Sequence, residues 1–561
     1  MKKTLALLLI ICLLLPFAAV SASAENLPDL RIAVASDVHY NQPRAALEGV
    51  IDDPIYWYAN RRAAMEDESG FILDAFLREC AEKDYDYVLI AGDLADNGRR
   101  LPEEHRDVAA KLAAFEAETG KQVFVIDGNH DIAKAPDTDM AFFKETYADF
   151  GYDRALTVSE DDCSYTADLG EKYRLIALDS CNYNKSTEDG MTLKKLRFVK
   201  NEAKKAKADG RYPIVMMHHN LLDHMPMQRV VSHNFIVRFH RTTAELFADW
   251  GVRVVLSGHE HCSDVSAFTS AAGSKIYDFA NTSLTMYPLA YREMTFTDDV
   301  IRYADVRLAS IDTDALSRAV DGYTSAQLAA MGADLDAYAK GFLKAGVQYR
   351  LQLSLTMEKL GIKESDFYYN AANAVVSRLN ELLAMPLYGE DSLQTLAKRY
   401  NIDLPESDYM NGWDLATDLV AWHYAGGEHF ALDSTEVTLF LRALNLILHD
   451  DLAQFNDRVL LKGANALMKK DGVTQETVQN WTRVFGAVTP GETFLLCLVS
   501  PFLYEFAFDA DGVNDNAGEI EGYSVRANAR NIGDHLSAFF QRIFVYLENI
   551  ALILTRGMRV R

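Results

Sequence analysis

Short apolar runs alternate with amphipathic stretches along the first half of the chain, and this alternation restricts the fold more than any other feature. Strand-like runs such as Arg31–Ser36, Tyr87–Ala91 and Gln122–Ile126 are separated by segments with helical periodicity, such as Phe71–Ala81 and Glu103–Glu118. Several runs are apolar without alternation, which is typical of strands covered on both faces. We therefore predict an α/β sandwich over residues 25–308.

The pattern changes near Ser310, where strand-like runs nearly vanish and helical periodicity takes over. We predict an all-α domain at residues 309–530 and an amphipathic tail helix at 531–561. Glu548, Asn549 and Arg542 within the tail argue against a membrane-spanning segment. Two alternatives stay open for the tail: packing onto the helical domain, and peripheral contact with a membrane or the cell envelope.

The first 24 residues have the form of a secretory signal. A charged start, Met1-Lys2-Lys3, precedes an apolar run from Leu5 to Val20 and a small-residue exit, Ala22-Ser23-Ala24. The protein is therefore expected to be secreted or held at the cell surface, and the alternative is that the segment stays uncleaved as an N-terminal anchor. In such an oxidising compartment Cys163 and Cys181 could pair, and buried free thiols are the alternative.

The chain is strongly acidic, with a formal net charge of −25. Such a surface repels nucleic acid over most of its area, so no nucleic-acid binding surface is expected. A phosphate substrate would also need a local positive centre, and metal ions are its simplest source.

Polar motifs follow the strand-like runs, as expected for an α/β sheet whose functional groups lie in loops beyond the strand ends. Each motif alone is a weak signal, because such residues often form turns or caps. Together they offer oxygen and imidazole ligands suited to borderline divalent metals, and they predict a metal site. The five motifs are Asp37-Val38-His39, Gly92-Asp93, Gly128-Asn129-His130-Asp131, His218-His219 and Gly258-His259-Glu260-His261.

In this order the motifs resemble the signature of the calcineurin-like metallophosphoesterase superfamily, over residues 30–300. The resemblance implies a four-layer αββα sandwich and two metal ions bridged by Asp93. Of the adjacent histidines we assign His218 as the ligand, because the histidine of that family lies directly after its strand, and His219 then supports the ligands or faces the substrate. Fe, Mn and Zn all accept such a ligand set. One ion would be held by Asp37, His39, Asp93 and His261, and the other by Asp93, Asn129, His218 and His259.

Two adjacent cations would lower the pKa of a shared water, so that hydroxide is available near neutral pH, and would neutralise phosphate oxygens. We predict that His130 donates a proton to the leaving alkoxide and that Asp131 fixes its tautomer. The alternative role for His130 is to satisfy a buried backbone carbonyl.

Departures from relatives narrow the substrate. Asn97 stands where protein phosphatases of the superfamily have a phosphate-contacting arginine, and Asp96 stands where purple acid phosphatases have a tyrosine ligand. A phosphoprotein substrate and a ferric charge-transfer colour are therefore not expected. An insert after the first motif could wall the substrate pocket or simply pack; it contains Tyr56, Trp57, Tyr58, Arg61 and Arg62.

The leading hypothesis is an exported hydrolase of phosphodiesters or phosphomonoesters. One alternative is a phospholipid-directed, sphingomyelinase-like phosphodiesterase at the cell surface. A second alternative is a surface-binding module whose metal domain is vestigial.

Overall fold

The computed structural model describes residues 29–49, 62–186, 188–225, 228, 234–427, 434–447, 452–471, 489–507 and 513–524. Several predicted features lie outside the described residues. They are the signal segment 1–24, the insert residues Tyr56, Trp57, Tyr58 and Arg61, and the tail 531–561.

Thirteen strands are present among the described residues, and they form two mixed sheets. Their bounds are β1 Leu30–Ala35, β2 Tyr87–Ala91, β3 Gln122–Ile126, β4 Thr157–Val158, β5 Tyr165–Leu169, β6 Tyr173–Leu178, β7 Tyr212–Met217, β8 Val254–Ser257, β9 Asp264–Thr269, β10 Lys275–Ala280, β11 Ala290–Phe296, β12 Val300–Arg307 and β13 Ala517–Glu521. The first sheet has the order β13-β12-β11-β1-β2-β3, and the second has the order β4-β5-β6-β7-β8-β10-β9.

Parallel pairing within each sheet brings the predicted site residues to one edge. Strands β1, β2 and β3 are parallel neighbours in the first sheet, and β6, β7, β8 and β10 are parallel neighbours in the second. The carboxyl ends of parallel strands meet at the same edge, and the loops that follow them can share a site.

The second sheet is buried on both faces, which explains why its strands do not alternate between apolar and polar residues. In β6, Leu175 and Ala177 belong to the core shared with the first sheet, whereas Ile176 and Leu178 pack with the helices on the outer face. The same division holds along β7, where Ile214 faces inward. Two sheets with helices outside them confirm the predicted α/β sandwich.

Helices cover both sheets and make up most of the C-terminal half. Their bounds are α1 Arg44–Leu47, α2 Ser69–Glu82, α3 Pro102–Thr119, α4 Met140–Thr146, α5 Leu193–Ala208, α6 His240–Trp250, α7 Thr313–Ala319, α8 Ser325–Ala333, α9 Leu335–Ser354, α10 Tyr369–Ala384, α11 Leu393–Arg399, α12 Gly412–Tyr424, α13 Thr435–Ile447, α14 Asp457–Asp471 and α15 Pro490–Ala507. Among the described residues, no helix is both long and apolar enough to span a bilayer.

Local signals account for several helix ends. Pro102 occupies the first turn of α3, and Gly120 ends that helix in a left-handed conformation with φ 71°. Thr324 and Gln327 form a capping box at the start of α8. These ends follow from sequence chemistry alone.

The C-terminal region does not remain entirely helical. Within the range 309–530 predicted as all-α, Ala517–Glu521 instead forms β13, which pairs antiparallel with β12 at the edge of the first sheet. Helices α7 to α9 also contribute to the core of the α/β domain, through Leu316, Leu335 and Leu343. A separate helical core is built around α10 to α15. The first domain is therefore completed by C-terminal residues.

Candidate metal centre

The backbone is strained where the predicted ligands leave their strands. Non-glycine residues rarely adopt positive φ, and such strain clusters at functional sites. Five of the predicted ligands have positive φ: Asp37 at 50°, His39 at 42°, Asp93 at 48°, His259 at 69° and His261 at 63°. The surrounding fold therefore holds the backbone at these residues in conformations that a free loop would avoid.

Two motif glycines allow the ligands to approach one another. A Cβ on Gly92 would lie 2.7 Å from Nδ1 of His218, and a Cβ on Gly128 would collide with the carboxylate of Asp93. Gly92 also has a φ of 91°, which favours glycine, whereas Gly128 is needed for space alone. The glycines in these motifs thus serve the close packing of ligands.

The first group of ligands joins the end of β1 to the loop after β8. Nε2 of His39 lies 3.1 Å from Nε2 of His261. Oδ1 of Asp37 lies 3.2 Å from Nε2 of His261 and 3.7 Å from Nε2 of His39. Three potential ligand atoms therefore converge on one small volume.

The second group lies beside the first, and Asp93 reaches both. Nε2 of His218 lies 2.9 Å from Oδ1 of Asn129 and 3.1 Å from Nδ1 of His259. Oδ2 of Asp93 is 3.3 Å from Nε2 of His218 and 3.7 Å from Nε2 of His39. All seven predicted ligands are thus brought together, with Asp93 between the two groups.

The chemistry of these atoms fits metal ions. Oδ1 of Asp37 and Oδ2 of Asp93 are buried and accept no hydrogen bond. A buried carboxylate oxygen without a donor is costly in free energy, and a bound cation removes that cost. The facing imidazole nitrogens complete a mixed oxygen and nitrogen set of the kind that Zn, Mn and Fe accept.

The electrostatics of the centre keep the carboxylates ionised. Burial alone would raise the pKa of Asp93, but His218 and His130 lower it well below its usual value. Burial also opposes the charge on His218, yet Asp93 and Asp37 raise the pKa of His218 to about 10. Burial lowers the pKa of His39 and holds that of His259 well below its usual value. Neutral imidazoles are therefore available there as ligands.

His130 lies at the edge of the centre, and its orienting partner is not the predicted one. The imidazole Nδ1 donates to the backbone carbonyl of Asp96 at 2.8 Å, and the ring stands edge-on to His39 with centroids 4.9 Å apart. The carboxylate of Asp131 instead accepts hydrogen bonds from the backbone amides of Leu94, Ala95 and Gly128. The prediction that Asp131 fixes the His130 tautomer is wrong, because that carboxylate is used to hold two loops together.

Asp96 is the site residue that the motifs missed. Its Oδ1 lies 3.0 Å from Nδ1 of His39. Both carboxylate oxygens accept hydrogen bonds at 2.7 Å from the guanidinium of Arg62. Arg62 of the insert is therefore bound to Asp96. The available signal was position, because Asp96 lies three residues after Asp93 in the same loop.

Two other predicted residues lie behind the ligands. His219 is fully buried, with Nδ1 2.9 Å from the hydroxyl of Ser180 and its ring 4.5 Å from that of His259. Burial lowers the pKa of His219 to about 3, so it stays neutral. Asn97 donates through its side chain to Glu104 and thus holds the loop after β2.

Cys163 and Cys181 are buried free thiols.

Comparisons with known proteins gave one family match and several similar solved structures. The family model described as calcineurin-like phosphoesterase matches residues 30–263. A dimetal phosphatase from Danio rerio is 12% identical, with a TM-score of 0.39, and the match covers 50% of this chain and 99% of that chain. A purple acid phosphatase from yellow lupin (Lupinus luteus) seeds is 10% identical, with a TM-score of 0.32, and the match covers 50% of this chain and 51% of that chain. The comparison with curated proteins gave no significant match.

Proposed function

We propose that this protein uses two metal ions to hydrolyse small phosphate esters outside the cell. Residues 30–263 form a calcineurin-like phosphoesterase domain, and the chain is therefore a metal-dependent phosphoric ester hydrolase. The substrates are phosphodiesters or phosphomonoesters. The apolar segment Leu5–Val20 with its small-residue exit supports export.

One observation carries the two-metal proposal. Oδ2 of Asp93 accepts no hydrogen bond, and it lies between His39 of one ligand group and His218 of the other. A buried carboxylate in that position holds two like charges together better than a neutral ligand could. Its Oδ1 meanwhile accepts a hydrogen bond from the backbone amide of His130 at 2.8 Å, which fixes the carboxylate.

Metal ions bound there would supply Lewis acidity, which neutralises charge on the phosphoryl oxygens and acidifies a water. The residues of the chain do the positioning. The carboxylate of Asp96, itself bound by Arg62, holds His39, and the carbonyl of Asp96 fixes Nδ1 of His130. Because that carbonyl can only accept, Nδ1 carries a proton. Nε2 of His130 then carries the free lone pair; after it has taken up a proton from solvent, it gives that proton to the leaving oxygen, and the half-buried ring keeps it accessible.

Substitution Asp93→Asn tests the two-metal proposal. We expect both ions to bind more weakly and kcat/KM for bis-nitrophenyl phosphate to fall by about 100-fold or more. Metal content and hydrolysis rate are the measurements. Asp86→Asn is the matched control. Asp93 follows β2, whereas Asp86 precedes β2 and accepts a hydrogen bond from the backbone amide of Arg31. Full activity in the Asp93→Asn protein would refute the mechanism.

Substitution His130→Gln tests the proton donor while keeping a side chain that can donate to the Asp96 carbonyl. We expect alkyl phosphate esters, whose leaving groups need a proton, to lose about 100-fold or more in rate. Nitrophenolate leaves without protonation, so the rate of hydrolysis of nitrophenyl esters should fall much less. The ratio of the two rates is the measurement, and equal losses on both esters would argue against the role.

A further inference from the structure

A cavity of about 540 Å³ lies outside the metal centre. Its floor is the segment 64–68, and its other walls come from the turn between α7 and α8 and from the exposed side of α9. None of the seven metal-binding candidates lines it. The floor is buried, with Glu68 only 2% exposed, whereas Asp321 at the rim is exposed. The cavity is thus open to solvent and closed at its base.

The charges that face the cavity are predominantly negative. Four carboxylates line it, those of Glu66, Asp67, Glu68 and Asp321, against the single guanidinium of Arg44. Arg44 is bound to Asp67, with Nε at 2.9 and 2.8 Å from the two carboxylate oxygens. Among the described residues, neither Glu68 nor Asp321 forms a salt bridge. An anionic ligand is therefore excluded on charge.

Aromatic rings form the remaining wall. Tyr338 and Phe342 lie one turn apart on α9, with ring centroids 6.4 Å apart, so both border the same face. The hydroxyl of Tyr323 donates to Oε1 of Glu68 at 2.5 Å. Burial raises the pKa of Glu68 to about 7, and the hydrogen bond from Tyr323 opposes that rise. A purely apolar ligand would bring no positive charge to offset the desolvation of that carboxyl group.

We propose that this cavity binds an alkylammonium group, with Glu68 as its counter-ion and Tyr323, Tyr338 and Phe342 as its aromatic wall. Aromatic faces and a carboxylate together attract organic cations, and the rings also accommodate methyl groups that water solvates poorly. Asp321 at the rim adds a second negative charge at the entrance.

The cavity is structurally connected to the metal centre. The amide of Met65 donates to the carbonyl of Thr285 at 2.7 Å, and the neighbouring Met286 has its sulfur 3.0 Å from Nδ1 of His261. Two sources of the ammonium group fit this placement. It is either a free alkylammonium compound or the cationic part of a phosphoester substrate, and the second source rests on the proposed function.

Calorimetric titration of the full-length protein with choline tests the cavity directly. We expect the neutral isostere 3,3-dimethylbutanol to bind at least about tenfold more weakly than choline. Glu68→Gln and Asp321→Asn should each weaken choline binding, Glu68→Gln by about tenfold or more. Asp336→Asn is the matched control, because Asp336 lies on α9 but pairs with Arg307. Equal binding of choline and its isostere, or no binding of either, would overturn the proposal. The isostere comparison needs no variant, so a folding defect cannot obscure it.

Hydrolysis of nitrophenyl phosphorylcholine and of bis-nitrophenyl phosphate distinguishes the two sources. If the cavity receives part of the substrate, Glu68→Gln raises KM for the choline ester alone. If it binds a free compound, both KM values stay unchanged while choline binding is lost. A protein inactive on every ester would contradict the proposed function, and the titration would still decide the cavity.

Discussion

Asp96 illustrates how one residue can support several functional groups. Its carboxylate contacts His39 and Arg62, and its carbonyl fixes His130, so a predicted metal ligand and the proposed proton donor depend on the same short loop. Burial alone would raise the pKa of Asp96, but Arg62 and His39 hold it well below its usual value. Asp96 is therefore ionised and able to orient the His39 ring throughout the neutral range.

Substitution Asp96→Asn removes that charge but leaves the backbone carbonyl in place. Residues that orient metal-binding histidines typically contribute about 10- to 100-fold to metal affinity. We expect the metal affinity of the Asp96→Asn protein to fall by a factor of that size. Titration of the metal-depleted protein measures it. Asp107→Asn is a suitable control, because Asp107 accepts from Tyr40 and Gln42 and contacts none of the predicted ligands. Unchanged metal affinity in the Asp96→Asn protein would contradict the orienting role.

At the scale of elements, the buried His224 connects the loop after β7 to strands β9 and β10 of the second sheet. Nδ1 of His224 lies 2.5 Å from Asp264 on β9, and Nε2 lies 3.1 Å from Asp278 on β10. Asp278 also accepts from the amides of Leu221 and Leu222 in the same loop. This loop begins at His218, so the attachment helps to position the second ligand group.

The pH dependence of stability tests that attachment. Burial would lower the pKa of His224, but Asp264 and Asp278 raise it well above its usual value of 6.5. Its stabilising contribution is thus complete below 6.5 and is lost as pH rises through the folded-state pKa. We expect His224→Gln to lower the free energy of unfolding by about 3–5 kcal/mol at about pH 6, because two buried carboxylates lose their partner.

Urea denaturation of the unsubstituted and His224→Gln proteins at about pH 6 and about pH 10 measures this effect. The difference between their free energies of unfolding should be smaller at the higher pH. His240→Gln serves as the control, since His240 forms a longer contact of 3.5 Å with the partly exposed Asp223. A deficit independent of pH would show that the protonated ring is not what fastens the loop.

The strand β13 shows a second long-range attachment. The carboxylate of Asp515, just before β13, accepts from the amide of Val265, and the buried Arg292 donates to its carbonyl. In the strand itself, Ile520 is buried opposite Ile301 of β12. The chain therefore returns to the α/β domain after passing through the helical core.

At the scale of the whole molecule, the first and last described residues, Asp29 and Ser524, lie close to the same group of residues. Lys172 joins Asp29 and Asp298, at 2.8 and 2.9 Å, and the amide of Ser524 donates to the carbonyl of Asp298. Asp29 precedes β1, whereas Asp37 follows it. A strand of six residues is about 20 Å long, so these ends lie far from the metal centre. The predicted membrane contact of the tail stays a prediction.

The distance between these ends and the metal centre predicts how removal of the predicted signal segment would affect the enzyme. We expect the exported protein to begin at Glu25 and to hydrolyse soluble esters with kcat/KM within about twofold of the uncleaved chain. Amino-terminal sequencing of protein recovered outside the cytoplasm, together with kinetics of both forms, measures this. An uncleaved start at Met1 in the exported protein would contradict the prediction, and a large change in kcat/KM would contradict the separation.

The sequence by itself determined the α/β domain, the helical region and the set of residues that converge at the strand ends. These features depend on local patterns, because strand periodicity, burial on both faces and motifs that follow strands are all written in short segments. Asp37, Asp93 and His218 could therefore be named before their geometry was known.

Only the tertiary structure decided which groups support those ligands. Asp131 binds backbone amides, Asp96 pairs with Arg62, and β13 returns to the first sheet. The cavity proposed to bind an alkylammonium group likewise brings Glu68 and residues of α9 to a common space. Each of these contacts links segments distant in sequence, and no local periodicity encodes such a partner. The physical reason is that burial makes an unpaired polar group costly, so its partner is whichever group the packed fold places beside it.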